Sequence, residues 1–479
     1  MPPPTSPDVD GTAALAPVVQ RQQPATVTLE DNEDALAQAF VADVAGILRY
    51  CPQRRQWLAW DGHRWGWDEA EQHRELIRQI ARRLPVADKA QAAFRRKMLS
   101  ANGVSAVAAL ARTDPRVVTH LDDLDNQPWE LNTPDGVVDL RTGKLSNPDA
   151  AKLHTRCTAV APDFGREPTR WTQFLGETFG DDAELIGWMQ RLMGIAAVGE
   201  VLEQVLPFGH GVGANGKSVF VETCSDVLGR GERGYAIAAN AEMLMVRKYQ
   251  EHSTELAQLA GARLVVCSEL EDGARFAEAR IKQLTGRDSI SARFMRRDFF
   301  TFTPSHTFLL VANHKPQATV GGPAFWRRLR LIPFNHVVPE GERDPHLPEK
   351  LRDEWPAILA WIIRGAADYA QGGMRTPQSI QRATEAYARD EDTLGRFVAD
   401  QCHLSPGSDL VRINTSKLRS AYEQFCRETG DEPVSPRRFG QELRDRFGVD
   451  STRSNGQRFY VGITLLEVEG DEPDDGGLL

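Results

Sequence analysis

The amino-acid sequence predicts an α/β fold, with an α+β domain on its N-terminal side and a winged-helix-like domain near its C-terminal end. Two apolar stretches, residues 264–271 and 307–312, have the length and hydrophobicity of buried strands. A third, residues 201–208, leads into a glycine-rich turn that is followed by a helical pattern. Strands that alternate with helical patterns in this way are typical of a mostly parallel sheet.

The glycine-rich turn satisfies the pattern G-x-x-x-x-G-K-[ST] of a phosphate-binding loop. Its residues are Gly211, Val212, Gly213, Ala214, Asn215, Gly216, Lys217 and Ser218. A strand, a glycine turn and a helix N-terminus direct backbone N–H groups at an anion, and the helix dipole adds to the attraction. We therefore expect these residues to bind ATP, with Lys217 at the β- and γ-phosphates and Ser218 as a Mg²⁺ ligand. An ordinary glycine turn is the alternative interpretation.

Length, charge and cysteine content restrict the class of protein. A chain of 479 residues is too long for one hydrophobic core and predicts about three domains. Its net charge of −10 means that any contact with nucleic acid must come from local basic patches. The 6 cysteines form no C-x-x-C pair, which argues against a zinc ribbon and favours a reducing compartment. No run reaches transmembrane length and no basic signal segment is present, so we expect a cytoplasmic protein without a membrane partner.

The region before the glycine loop predicts small α+β units. Residues 1–30 are rich in Pro, Ala, Thr and Gln and are expected to form a disordered tail. Residues 57–67 carry four tryptophans around a D-G turn, which predicts a hairpin. Those rings could form a base-stacking platform or a small aromatic core, and we favour the core. Two helices over 71–112 and a strand, turn and strand over 132–145 are predicted next.

Polar side chains stand where the two later strands of the sheet are predicted to end. The strand at 264–271 closes with Glu269 and Glu271, where an acid that handles Mg²⁺ and water belongs. The strand at 307–312 is followed by Asn313, an amide that can orient the attacking water. Because open α/β sheets bind ligands at the carboxyl ends of their strands, these residues are candidates for catalysis together with Lys217.

Two basic segments are the local candidates for contacts outside the nucleotide site. The first contains Lys282, Arg293, Arg296 and Arg297 around a turn, and it could bind a phosphate backbone or be a solvated surface of mixed charge. The second is centred on Trp326-Arg327-Arg328. Arginines at the edge of an ATPase domain can serve the nucleotide of a neighbouring subunit, or they can form structural ion pairs. Residue chemistry alone leaves these two alternatives open.

Five motifs in order make a resemblance specific. They lie at residues 211–218, 265–269, 282–286, 312–316 and 326–334. This series resembles the superfamily 3 helicases, and most of all the phage and plasmid primase-helicases related to the poxvirus primase-helicase. The resemblance extends from about residue 35 to residue 340 and includes the segment that precedes the helicase core.

The resemblance implies an AAA+-type P-loop ATPase core that works as a ring, usually a hexamer, on DNA with ATP bound between subunits. It implies that Lys217 and Ser218 are the Walker A pair, that Glu269 is the Walker B acid and metal ligand, and that Asn313 is the sensor. It makes Arg328, or failing that Arg327, the arginine finger. Ser268 stands where the metal-binding Asp of a D-E pair would be, so the division of labour between Glu269 and Glu271 stays open.

The C-terminal region predicts helices followed by a hairpin. Ser435 and Pro436 have the residue types of an N-cap and a first helical position, and they predict a helix that carries Arg437 and Arg438. This order is similar to a winged helix, in which that helix would enter a major groove, although a structural helical cap is the alternative. The predicted divisions of the chain are a tail (1–30), a helicase-associated domain (31–162), an ATPase core (163–340), a helical connector (341–390), a winged-helix-like domain (391–466) and an acidic tail (467–479).

These expectations combine into an ATP- and Mg²⁺-dependent DNA helicase for replication of a phage, prophage or plasmid, and in a phage the site of action would be the host cytoplasm. Too few residues precede the helicase-associated domain for a primase fold, so a separate primase or polymerase is an expected partner. The first rival is an ATP-switched DNA-binding initiator or loader that does not unwind. A weaker rival is a phosphotransferase that acts on a small molecule.

Overall fold

The computed structural model is a mixed α/β protein, described over residues 32–247, 253–270, 272–294, 298–318, 322–454 and 456–466. The helices are α1 (Glu33–Val44), α2 (Gln72–Arg83), α3 (Lys89–Met98), α4 (Ala101–Ala111), α5 (Thr169–Phe179), α6 (Ala183–Ala196), α7 (Lys217–Leu228), α8 (Ser253–Ala257), α9 (Glu278–Leu284), α10 (Pro323–Trp326), α11 (Leu347–Asp353), α12 (Trp355–Gly372), α13 (Gln378–Asp390), α14 (Thr393–Gln401), α15 (Thr415–Thr429) and α16 (Pro436–Phe447). The expected tails at 1–30 and 467–479 lie outside the described residues.

The strands form several sheets, of which one is entirely parallel. They are β1 (Leu48–Cys51), β2 (Gln56–Trp60), β3 (Trp65–Trp67), β4 (Glu130–Thr133), β5 (Gly136–Asp139), β6 (Lys144–Ser146), β7 (Leu206–His210), β8 (Ala236–Asn240), β9 (Leu264–Ser268), β10 (Ile290–Ala292), β11 (Phe300–Phe302), β12 (Thr307–Ala312), β13 (Leu329–Pro333), β14 (Cys402–Leu404), β15 (Arg412–Asn414), β16 (Asp450–Ser454), β17 (Gln457–Val461) and β18 (Ile463–Leu465).

The parallel sheet has five strands in the order β13-β7-β12-β9-β8. Its strands are nearly continuous apolar runs because helices cover both faces, and all six residues of β12 are buried. The prediction for β12 is confirmed in its bounds, whereas β7 begins at Leu206 and not at Val201. The carbonyls of Val201 and Leu202 accept hydrogen bonds from Arg287 and not from a neighbouring strand, which explains the later start.

The register of this sheet brings the carboxyl ends of its strands to one level. His210 at the end of β7 is paired with Ala312 of β12 and with Pro333 of β13. Ser268 at the end of β9 is paired with Val311 of β12. The residues that follow these strands therefore meet at one edge of the sheet.

The N-terminal part combines an antiparallel sheet, β1-β2-β3, with helices α1 to α4. Trp57 and Trp65 are 6% and 1% exposed, so the interpretation of an aromatic core is correct for these two rings, while Trp60 and Trp67 stay partly exposed. Three helices, and not two, occupy 72–111, because the side chain of Ser100 accepts from the backbone N–H of Gly103 and starts a new helix.

A buried arginine joins the sheet β4-β5-β6 to the parallel sheet. Arg263, which directly precedes β9, donates to the carbonyls of Glu130 (2.9 Å) and Ala197 (2.6 Å). Its guanidinium carbon also lies 4.4 Å from the centroid of the Tyr235 ring. Because a buried charge is stable only when its donors are satisfied, these contacts hold the region before the glycine loop against the sheet.

The C-terminal part is built from α14, α15 and α16 with two small sheets, β14-β18 and β15-β17-β16. Ser435 accepts from the backbone N–H of Arg438 and Pro436 is the first residue of α16, as predicted. The preceding helix, α15, begins at Thr415 with Asn414 as its N-cap. Within the described residues, none of the helices has both the length and the apolar character that crossing a membrane requires.

Helices α6 and α12 approach each other through two glycines. A Cβ on Gly194 would lie 2.2 Å from the backbone N of Ala366, and one on Gly365 would lie 2.1 Å from the carbonyl oxygen of Gln190. The side-chain amide of Gln190 donates to the carbonyl of Trp361 at 2.9 Å across the same contact. This packing closes one face of the core that contains α7.

We expect Gly194→Ala to lower the free energy of unfolding by about 1–3 kcal/mol, because the added methyl group must push backbone atoms apart. Gly187→Ala in the same helix is the matched control, since a Cβ there meets nothing closer than 3.6 Å. That control should raise stability by about 0.5–1 kcal/mol through helix propensity. Urea denaturation of both variants measures the difference, and equal effects of the two substitutions would contradict the close helix contact.

Candidate functional site

The glycine loop between β7 and α7 requires its glycines. Gly213 and Gly216 have φ values of 91° and 82°, which favour glycine. A Cβ on Gly211 would lie 2.2 Å from both the side-chain nitrogen of Asn215 and the carbonyl oxygen of Phe334. Ala214 has a φ of 47°, an uncommon conformation for a residue with a side chain, and such strain is concentrated at functional sites.

Two buried polar side chains hold the loop in shape. Asn215 donates to the carbonyl of Phe334 at 2.8 Å and accepts from the Lys217 ammonium group at 2.9 Å. Lys217 also donates to the carbonyl of Gly211 at 2.6 Å. Lys217 is 7% exposed, and its burial lowers the pKa of the amine. The sequence pattern treats Asn215 as a variable position, but the structure gives it a role in the loop.

Four of the predicted side chains line one large cleft, which includes the carboxyl edge of the sheet and extends to Gly261 and Ser305 before β9 and β12. Lys217, Ser218, Glu269 and Asn313 all contribute to this cleft, whose volume is about 2030 Å³. Ser218, Glu269 and Asn313 are exposed, while Lys217 is buried. Glu271 lies outside the described residues, so the choice between the two acids stays a prediction.

The charges of two lysines act on the carboxyl end of β7. Burial first, and then the nearby charges of Lys315 and Lys217, lower the pKa of His210 at the end of β7. The ammonium charges of Lys315 and Lys217, which add to the effect of burial on His210, would suit a bound anion. His210 and Lys315 were not singled out from sequence, although His210 directly precedes the glycine loop. Within the described residues, no cluster of three His, Cys, Asp or Glu side chains could hold a metal ion on its own.

The two finger candidates differ in their surroundings. Arg328 donates to the carbonyl of Ala324 and to the side chain of Gln204, each at 3.0 Å. Arg327, at the C-terminal end of α10, is exposed. Neither arginine lines the cleft that contains Lys217.

The predicted basic cluster is divided between two elements. Lys282 is exposed on α9. Arg293 directly follows β10, where the connection to β11 begins, and its guanidinium carbon lies 4.9 Å from the Phe299 ring centroid. Arg296 and Arg297 lie outside the described residues. In the C-terminal part, Arg437 is exposed on α16, whereas Arg438 forms an ion pair with Glu442.

Fold and site define an α/β protein with a strand, glycine loop and helix at the carboxyl edge of a parallel sheet. Residues 35–180 match the family model described as D5 N terminal like, and residues 209–328 match one described as a family of unknown function, DUF5906. A protein of Acanthamoeba polyphaga mimivirus named "Putative helicase L207/L206" is 24% identical over 339 residues, which cover 66% of this chain and 34% of that protein.

Two further proteins complete the comparison. "Putative primase C962R" of African swine fever virus (isolate Tick/Malawi/Lil 20-1/1983) is 22% identical over 328 residues, covering 63% of this chain and 34% of that protein. This chain therefore spans about a third of the length of these two relatives. The apo A form structure of the NrS-1 C-terminal region aligns with a TM-score of 0.50 at 11% identity over 89% of this chain and 98% of that chain, a likeness of fold alone. The matches to viral proteins confirm the resemblance to the primase-helicases related to the poxvirus primase-helicase.

Proposed function

We propose that this protein is an ATP-dependent DNA helicase that acts in replication, and that it translocates on DNA as a ring. The observation that carries the proposal is the convergence of Lys217, Ser218, Glu269 and Asn313 on one cleft beside a glycine loop. Names given to the viral relatives, helicase and primase, support a role in replication. An AAA+-type P-loop core and a C-terminal winged helix are parts of the same proposal.

In this proposal the backbone N–H groups of the glycine loop and the N-terminus of α7 bind the phosphates of ATP. The Lys217 ammonium group exchanges its contacts with Gly211 and Asn215 for oxygens of the β- and γ-phosphates. Burial lowers the pKa of the Lys217 amine, and the negative charge of the phosphates would raise it again. Lys217 then lowers the energy of the charge that develops on the transferred group.

A Mg²⁺ ion fits this site as a ligand of ATP and not as a resident of a protein cage. Ser218 and Glu269 are the two predicted oxygen ligands in the cleft, and Mg²⁺ commonly completes its shell with phosphate oxygens and water. When bound, the ion supplies neutralisation of phosphate charge. Asn313 donates to the attacking water and orients it, and Glu269, or Glu271, accepts the water proton.

An arginine from the neighbouring subunit completes the site if ATP binds between subunits. Sequence motifs favour Arg328, but its guanidinium group is held inside its own subunit by Ala324 and Gln204. The exposure of Arg327 supports Arg327 as the residue that reaches the neighbour. Arg293 beside the β10–β11 hairpin, its sequence neighbours Arg296 and Arg297, and Lys282 of α9 would contact the translocated strand. The α16 arginines, Arg437 and Arg438, would contact duplex DNA.

Substitution of the nucleotide residues tests the core of the proposal. Lys217→Ala should abolish ATP hydrolysis, and Glu269→Gln should retain ATP binding but stop turnover. Lys350→Ala is the matched control, because Lys350 pairs with Asp344 on the surface away from the cleft. Turnover with saturating Mg²⁺ and DNA measures the effect. Normal turnover by the Lys217→Ala protein would overturn the nucleotide site, and a phenotype confined to Glu271→Gln would exchange the roles of the two acids.

Mixing experiments test the ring and choose between the arginines. Arg327→Ala protein should bind ATP normally but lose about 10³-fold in turnover, because the missing group belongs to the neighbour's site. Adding Lys217→Ala protein should restore part of the DNA-stimulated ATPase, since mixed interfaces pair an intact loop with an intact arginine. The same assay with Arg328→Ala protein decides which arginine acts. Absence of rescue for both, in mixtures shown to co-assemble, would count against an active site shared between subunits.

Strand displacement on forked DNA separates the helicase from its rival, an initiator or loader that uses ATP only as an assembly switch. The helicase should displace a strand in an ATP-dependent reaction that Lys217→Ala abolishes. DNA-stimulated hydrolysis without displacement would favour the loader.

A further inference from the structure

An arginine of the N-terminal part reaches across the cleft to the β10–β11 hairpin. The guanidinium carbon of Arg54, in the turn between β1 and β2, lies 4.7 Å from the ring centroid of Trp67 and 5.7 Å from that of Phe294. Trp67 ends β3, and Phe294 follows β10. Arg54 and Trp67 belong to the same small sheet and its turns, Phe294 comes from a distant part of the sequence, and the three side chains form one aromatic and cationic cluster.

The hairpin side of the cluster continues with further aromatic rings. Phe294 stacks on Phe300 with ring centroids 5.3 Å apart and an interplanar angle of 13°. Phe299 is 62% exposed and carries the guanidinium group of Arg293 on its ring. A phenylalanine held this far into solvent beside an arginine has the composition of a binding surface and not of a core.

Both sides of the cluster line the same cleft as the candidate nucleotide residues. Arg54, Arg55 and Trp67 of the N-terminal part (the N-terminal wall) line this cleft, as do Phe294 and Phe299 beside the hairpin, and the two groups touch where Arg54 meets Phe294. Arg55 is exposed, and Arg54 and Trp67 are partly exposed, so all three offer surface to a ligand in the cleft. The volume of about 2030 Å³ is far larger than a nucleotide needs.

We propose that Arg54, Arg55 and Trp67 form, with Phe294 and Phe299, a two-walled binding site for single-stranded nucleic acid. Arginines would contact phosphates, and unpaired bases would stack on the faces of Trp67 and Phe299 opposite to those that Arg54 and Arg293 cover. The occupant is single-stranded because the faces of bases in a duplex are covered by their neighbours. The inference rests on the proposed DNA-binding function of the hairpin, and it adds the N-terminal part as the second wall of the strand path.

This assignment divides the tryptophan hairpin into two functions. Trp57 and Trp65 are buried and belong to hydrophobic clusters of the N-terminal part. Trp67, at the end of the same hairpin, lines the cleft and faces Arg54. A stacking surface and an aromatic core therefore coexist in one hairpin, with the core rings fixing the position of the exposed one.

Binding of a fluorescent oligothymidine to the full chain, measured without nucleotide over a range of salt concentrations, tests the site. Trp67→Ala and Phe299→Ala should each weaken binding about tenfold with little change in salt dependence, because each removes a stacking surface. Arg54→Ala should weaken binding and lower the log–log salt slope by about one, because it removes a phosphate contact. Parallel titrations with oligouridine and with duplex DNA identify the kind of strand.

Matched controls separate contact from folding. Trp60→Ala removes a ring that packs on Trp65 but does not line the cleft, and Arg83→Ala removes an exposed arginine that pairs with Asp43. Both should bind the oligonucleotide as the wild type does, and Trp67→Phe should recover most of the affinity that Trp67→Ala loses. Equal losses in Trp60→Ala and Trp67→Ala would mean that the hairpin only has to fold, and this would overturn the site.

The remaining outcomes distinguish this inference from the proposed function. If Arg293→Ala weakens binding while Trp67→Ala and Arg54→Ala do not, the N-terminal wall is wrong and the DNA-binding hairpin stands. If the wild type binds no single strand, the site and the proposed DNA-binding function are both wrong. Preference for duplex DNA over the single strand, unchanged in Trp67→Ala, would assign nucleic-acid binding to the C-terminal part.

Discussion

The hydrogen bond from Asn215 to the carbonyl of Phe334 fixes the geometry on which the candidate site depends. Phe334 follows β13, and its own N–H donates to the carbonyl of His210 at 2.8 Å, so the glycine loop is tied to the neighbouring strand at both ends. The lack of space for a Cβ on Gly211 follows from the same contact. The shape of the loop is thus tied to the position of the neighbouring strand.

The same sheet edge is anchored to the C-terminal half of the chain through α13. The Tyr387 hydroxyl donates to the carbonyl of Pro316, and Glu391 accepts from the N–H of Ala318 at 2.6 Å. Burial raises the pKa of Glu391, but in either protonation state a carboxyl oxygen can accept this bond. These contacts hold the segment that leaves Asn313. The position of Asn313 in the cleft therefore depends on a helix that lies more than 60 residues later.

Local patterns predicted the elements that carry the site, and long-range contacts account for what they missed. The bounds of β12 and the cap of α16 follow from residue types within a few positions, and both agree with the structure. The start of β7 could not be predicted from local residue types. Arg287, which is distant in sequence, donates hydrogen bonds to the carbonyls that would otherwise extend the strand. The convergence of Ser218 with Asn313 was predictable from strand ends in a parallel sheet, whereas the charge around His210 depends on Lys315, which no local pattern pairs with it.

The difference between Arg327 and Arg328 illustrates the same limit at the position proposed for the arginine finger. Adjacent arginines are equivalent in a motif, since either could carry a positive charge to a neighbour. The turn at the end of α10 separates them: the side chain of Arg328 returns to Ala324 and Gln204, while that of Arg327 is exposed. An arginine that already donates within its own subunit must break those bonds before it can serve another, and each such bond contributes roughly 0.5–1.5 kcal/mol. Arg327 would lose none of these bonds on reaching a neighbouring subunit, so the structure favours it as the proposed finger. The sequence motif contains no information about this difference.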